Sequence, residues 1–171
     1  QFHWWDYDDE HYLKAMGHLE NLRFEGKIQH LGLTNFDTTH LQRVVDEGYQ
    51  VVSNQVQYSL IDRRPEIQMA PYCQAKGIHL LAYGTLGGGL LSERFLGKPE
   101  PGRSALTTAS LSKYKRMVDV WGGWDLLQDL LVTLKGIADR YRVSIADVAI
   151  RYILDRPAVA GVIVGVRLGV A

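Results

Sequence analysis

Three times along the chain a charged, helical stretch runs to a glycine and passes within three residues into a short apolar run: Glu25-Gly26-Lys27-Ile28, Glu47-Gly48-Tyr49-Gln50-Val51 and Lys76-Gly77-Ile78. Glycine stops a helix because it enters the left-handed conformation without a Cβ clash, and the runs that follow are too short and too apolar for surface helices. They read as buried parallel strands. The glycines recur roughly 22 and 29 residues apart, about one β/α unit, and no Asn-Gly hairpin signal interrupts them. The pattern predicts a strand ending near His3, a helix over about Glu10 to Glu25, a strand from Ile28 to Leu33, and a helix from about Thr38 to Glu47. Asp37 is placed to cap that last helix, its carboxylate accepting a free backbone N–H. Next come a strand from Val51 to Val56, a helix from Pro65 to Lys76 and a strand from Ile78 to Tyr83.

Beyond Gly84 the rhythm breaks. Residues Gly84 to Ala109 are rich in Gly, Ser, Pro and Thr and too long for an ordinary connection, which predicts a functional or mobile loop over a site. Helices follow over about Leu111 to Val120 and Trp124 to Tyr141. A third is capped by Ser144, runs through Leu154 and is stopped by Pro157, and the last strand spans Val159 to Val164.

Alternating β/α units with strands apolar throughout fit either a doubly wound open sheet or a barrel. The open sheet would carry a Gly-x-Gly-x-x-Gly turn, but Gly84 to Gly89 reads Gly-Thr-Leu-Gly-Gly-Gly and runs into Leu90-Leu91. The expected fold is therefore α/β, a partial TIM (β/α)8 barrel with parallel strands.

At 171 residues, 46% of them hydrophobic, the chain is long enough for one domain with a real core, so residues 1–171 are expected to form a single domain. Nineteen basic residues balance nineteen acidic ones, and that absence of net field argues against nucleic acid or anionic lipid as partners. No stretch approaches the roughly 20 uninterrupted apolar residues of a membrane helix. The lone Cys73 fits a reducing compartment, and cytoplasm is the expected location. The chain opens with Gln1 directly on the apolar Phe2-His3-Trp4-Trp5 and stops soon after Gly161-Val162-Ile163-Val164-Gly165, so both ends read as cut.

Several segments then become recognisable, in one order along the chain. They are Phe2-His3-Trp4, Gly32-Leu33-Thr34-Asn35-Phe36, Asn54-Gln55-Val56-Gln57-Tyr58, Leu81-Ala82-Tyr83-Gly84-Thr85-Leu86, Ser144-Ile145-Ala146-Asp147-Val148-Ala149 and Val162-Ile163-Val164-Gly165. Together they resemble the aldo-keto reductases, over the C-terminal two-thirds of that family's barrel. The resemblance implies an NADP-dependent oxidoreductase that reduces aldehydes or ketones to alcohols by hydride transfer. His3 matches the family's catalytic histidine at a strand end. Thr34, Asn35 and Gln55 would hydrogen-bond the nicotinamide carboxamide, and Tyr83 would stack on the ring, which fits the way a protein positions a cofactor that supplies the chemistry itself. Gly84 to Leu91, with Gly84, Thr85, Leu86, Gly88 and Leu90 singled out, would wrap the pyrophosphate of NADP(H) through backbone N–H groups, and Arg167 would meet the 2′-phosphate. In a β/α barrel the strand C-termini and the loops after them carry the site, and His3, Asn35, Gln55 and Tyr83 all fall there.

The departures count as much. The family's proton-donating tyrosine, with its lysine and aspartate, comes from strands upstream of His3, and that stretch is not in this sequence. His3 alone would orient a carbonyl but would not protonate it. Turnover by these residues alone is therefore doubtful, and a non-catalytic NADP(H)-binding module or an inactive fragment is the alternative. Open barrel edges give a third expectation, self-association.

Other candidates take plainer readings. His11, His18, His30, His40 and His79 share no metal-ligand spacing, and no metal is expected. Trp121-Gly122-Gly123-Trp124 reads as a packing anchor before a pocket wall. Lys113-Tyr114-Lys115-Arg116 reads as a solvated helix face, and Cys73 as inert.

Overall fold

The structure is a computed structural model in which residues 1–165 are described. Five strands and six α-helices are described along it, alternating up to the fourth strand, with three successive helices before the last strand. They are β1 (Phe2–His3), α1 (His11–Phe24), β2 (Leu31–Thr34), α2 (Thr38–Asp46), β3 (Val51–Gln57), α3 (Met69–Lys76), β4 (His79–Tyr83), α4 (Ala109–Trp121), α5 (Gly123–Tyr141), α6 (Ile145–Leu154) and β5 (Val159–Ile163). The strands share one sheet in the order β1-β2-β3-β4-β5, which is the order of the chain. A doubly wound sheet reverses its strand order at a switch point, whereas sequential order with helical crossovers is the barrel topology. β1 pairs with β2 and β2 with β3 in parallel: Phe2 pairs with Leu33 and His3 with Thr34, then Leu33 with Asn54 and Thr34 with Gln55.

The described residues form two compact units. The first comprises residues 1–57, 64–82 and 156–161; the second comprises 58–63, 83–155 and 162–165. In the first, β2, β3, β4 and helices α1 to α3 enclose a core of Tyr12, Met16, Leu33, Phe36, Leu41, Val44, Cys73 and Leu80, all 0–1% exposed. The three predicted helix stops behave as glycine allows, with Gly26, Gly48 and Gly77 at φ 72°, 90° and 68°. Asp37 caps α2, its carboxylate accepting the His40 N–H at 2.8 Å. In the second unit α4, α5 and α6 pack about Leu90, Leu91, Val118, Leu127, Leu131, Ala138, Ile145 and Ala149, each fully buried. Ser144 and Asp147 form a reciprocal capping box: the serine hydroxyl accepts the Asp147 N–H at 3.1 Å and the aspartate accepts the Ser144 N–H at 2.9 Å.

Some predicted boundaries shift. The second strand begins at Leu31 rather than Ile28, because the Lys27 N–H is still tied to Leu22 in the helix-ending turn. The helix expected from Pro65 is a short 3-10 turn, Arg64–Glu66, followed by α3 from Met69. Gln68 between them, at φ −131°, is not helical. The long stretch after β4 holds three 3-10 turns, Gly87–Gly89, Glu93–Phe95 and Arg103–Ala105, and α4 starts two residues early, where Thr108 caps it. No described helix is long and apolar enough to cross a membrane.

Candidate functional site

In the first unit the parallel register sets His3, Thr34 and Gln55 side by side across three neighbouring strands. Register partners in a parallel sheet project from the same face, so these three side chains leave the sheet together at its C-terminal end. Asn35 follows at once. It stands at φ 60°, a left-handed conformation that asparagine tolerates better than most residues, and its N–H donates to the Gln55 carbonyl at 2.9 Å. His3 lies with its ring centroid 4.2 Å from that of Trp5, and the Thr34 hydroxyl donates to Gln1 Oε1 at 3.4 Å.

Beneath these groups sits a residue whose role sequence reasoning passed over. Asn54 is fully buried, and its Nδ2 donates to the Phe36 carbonyl at 2.8 Å and points to Met69 Sδ at 3.6 Å. Its Oδ1 has no hydrogen-bond partner among the described residues. Asn54 thus pins the backbone just beyond Asn35 to strand β3. The available signal was an amide within a strand that the sequence predicts to be buried, where polar side chains are as a rule hydrogen-bonded. Cys73 is buried in α3, and burial pushes its thiol up to about 12, leaving it protonated and unreactive.

In the second unit Tyr83 ends β4 and its carbonyl accepts the Tyr58 N–H at 3.1 Å. The following loop is shaped by Tyr114 of α4. A Cβ on Gly84 (φ 70°) would collide with the Tyr114 hydroxyl and lie 2.8 Å from its Cζ, and one on Gly88 (φ 66°) would lie 2.9 Å from its Cδ2. Only bare backbone fits against this ring. The Lys113 ammonium stands 5.4 Å from the centroid of Tyr83 and 5.0 Å from that of Tyr114.

Two loop residues take different parts from those expected. Leu90 is fully buried and its N–H donates to the Gly87 carbonyl at 3.2 Å, so it is a core residue whose donor is spent inside the turn. Thr85 is 1% exposed and its hydroxyl donates to the Tyr58 carbonyl at 3.3 Å, anchoring the loop rather than facing a ligand. The N–H groups of Gly87 and Gly89 are likewise bonded internally, to Gly84 and Leu86. Gly88 remains exposed. Arg167 lies outside the described residues.

Half of the tetrapeptide from Lys113 is a solvated face, with Lys113 and Arg116 exposed and Tyr114 and Lys115 buried. Lys115 is 6% exposed and pairs with both Glu100 and Asp119. Burial pulls its ammonium down, but the hydrogen bonds it donates to Asp119 and Glu100 outweigh that and hold it above the ordinary lysine value. Trp124 is the anchor its position suggested: its Nε1 donates to the Lys98 carbonyl at 2.9 Å and its ring packs edge-on to Phe95 at 6.1 Å.

Comparison with known proteins settles what these strand ends belong to. The family model of the aldo/keto reductases matches residues 1–168. The chain belongs to the aldo/keto reductase family. Among the relatives of this aldo/keto reductase chain, flagellar radial spoke protein 5 of Chlamydomonas reinhardtii is 34% identical over 131 residues, 75% of this chain and 25% of that protein. NADH-specific methylglyoxal reductase of Escherichia coli is 25% identical over 147 residues, covering 86% and 42%. The fold of the glycerol dehydrogenase from Gluconobacter oxydans superposes with a TM-score of 0.74 at 22% identity, over 94% of this chain and 46% of that one. The holo form of an aldo-keto reductase from Bacillus halodurans gives 0.70 at 25% identity, over 96% and 48%. The chain thus spans between a quarter and about half the length of these proteins, and its fold matches part of the barrel of the two solved structures.

Proposed function

We propose that this chain binds NADP(H) and that it forms the cofactor-holding part of an enzyme reducing aldehydes or ketones to alcohols. The observation that carries the reading is the lateral register of His3, Thr34 and Gln55, with Asn35 bonded to the last of them. That group offers what a primary carboxamide needs. The Thr34 hydroxyl and the side-chain amides of Asn35 and Gln55 present donors and acceptors, and the parallel strands hold them at fixed separation. In the second unit the bare backbone at Gly84 and the exposed Gly88 allow a phosphate to approach the main chain closely. Tyr83 supplies an aromatic face for a flat heterocycle. Arg167 is assigned to the 2′-phosphate on the resemblance alone.

When bound, the cofactor supplies the hydride. The work of the protein is orientation: Thr34, Asn35 and Gln55 fix which face of the ring is presented, and His3 directs a substrate carbonyl by a hydrogen bond to its oxygen. Protonation of that oxygen needs an acid within hydrogen-bond reach, and the tyrosine that serves this purpose in the family has no counterpart in the motifs quoted above. The 171 residues by themselves are therefore proposed to bind without turning over.

Titration of the chain with NADPH and, separately, NADH, followed by quenching of the reduced-nicotinamide fluorescence, tests the binding. A saturable response stronger for NADPH is expected, with no consumption of it when an aldehyde is added. Absence of a saturable signal with either nucleotide contradicts the binding reading. Aldehyde-dependent consumption that His3→Ala abolishes contradicts the claim of binding without turnover.

A further inference from the structure

We propose that Tyr7 is a positioning residue for Asn35, holding the left-handed backbone that aims the Asn35 amide; the inference rests on the carboxamide-binding reading of that residue. Direction of a Cα–Cβ bond is set by the two peptide planes that flank it, and both planes around Asn35 are tied. The plane before it is fixed by the Asn35 N–H, which donates to the Gln55 carbonyl at 2.9 Å. The plane after it is fixed by the Tyr7 hydroxyl, which donates to the Asn35 carbonyl at 3.1 Å. Without the second tie, a residue at φ 60° is free to relax toward the right-handed conformations that side-chain-bearing residues prefer.

Tyr7 is itself well braced for this task. Its ring stacks on His40 at 4.3 Å with an interplanar angle of 30°, and meets Phe36 edge-on at 5.2 Å and Tyr12 at 6.1 Å. His40 is held in turn, its Nδ1 2.8 Å from the Asp37 carboxylate that caps α2. Burial, then the nearby charge of Asp37, pushes the Tyr7 phenol up to about 12, so it remains a hydrogen-bond donor throughout the working pH range. The segment from Asp6 to Asp9 is thereby more than a connection between β1 and α1. It carries the brace for a residue 28 positions along the chain.

Tyr7→Phe removes the hydroxyl and keeps the ring packing, so the test separates positioning from folding. Two readouts are taken on the full chain: the three-bond HN–Hα coupling of Asn35 in the free protein, which reports its φ, and dissociation constants for NADPH and for 2′-phospho-ADP-ribose, which lacks the nicotinamide. The expected result is a changed Asn35 coupling, an NADPH affinity weaker by roughly three- to tenfold, the worth of one hydrogen bond, and unchanged affinity for 2′-phospho-ADP-ribose. An unaltered coupling, or equal weakening for both ligands, overturns the role of Tyr7. If the wild-type chain binds no NADPH, the carboxamide reading fails, and the coupling alone decides whether Tyr7 holds Asn35.

Discussion

Gly84→Ala is expected to destabilise the chain by roughly 2–5 kcal/mol, the sum of two independent penalties. At φ 70° an L-side chain costs about 1–2 kcal/mol, and the new methyl collides with the Tyr114 ring, an overpacking that typically costs about 1–3 kcal/mol. Tyr114 is 7% exposed and belongs to the core of the second unit, so it cannot simply swing into solvent. Urea unfolding measures the loss, and a second background apportions it. In Tyr114→Leu the collision is relieved and the conformational cost stays, so Gly84→Ala should cost distinctly less there. An equal loss in both backgrounds would mean that Tyr114 does not shape this loop.

Asn54→Asp should be the most damaging conservative change in the first unit. The substitution is isosteric, but it replaces the Nδ2 donor that satisfies the Phe36 carbonyl with an oxygen, and it places a carboxylate at a fully buried position. An uncompensated buried charge costs roughly 3–5 kcal/mol. Burial raises the folded-state pKa of the new carboxyl above its unfolded value of about 3.9. The sign of the pH dependence follows: below the unfolded pKa both states are protonated, the acid O–H donates to Phe36, and the loss is small. As pH rises above that value the unfolded state releases its proton first and stability falls. Thermal melts at pH 3.5 and pH 7 should thus show a gap between variant and wild type that widens with pH. A gap independent of pH would show that position 54 is reached by water.

The architecture was legible because two periodic signals agreed. Glycines at positions 26, 48 and 77 close helices in the left-handed conformation, and within six residues of each a strand begins whose apolar positions are largely buried. The motifs of the family resemblance put His3, Asn35, Gln55 and Tyr83 at or near strand ends; in the structure His3 and Tyr83 end their strands, Asn35 follows β2, and Gln55 stands two residues before the end of β3. What escaped it was long-range pairing. Lys115 has a carboxylate four residues on in Asp119, which Lys113 lacks, but the second partner, Glu100, is 15 residues away and no local pattern announces it. Leu90 and Thr85 lie within a glycine-rich stretch that suggests exposed backbone, but the turn folds inward and buries both. The brace from Tyr7 to Asn35 joins residues 28 positions apart, and no pattern of polarity announces it.

Nitrogen-edited NMR titration of the 171-residue chain with NADPH tests most directly whether the strand ends hold the cofactor. Saturable amide shifts should concentrate at His3, Thr34, Asn35 and Gln55 in the first unit and from Tyr83 to Gly88 in the second. Saturable shifts confined to other surfaces, with these amides unmoved, would contradict the account.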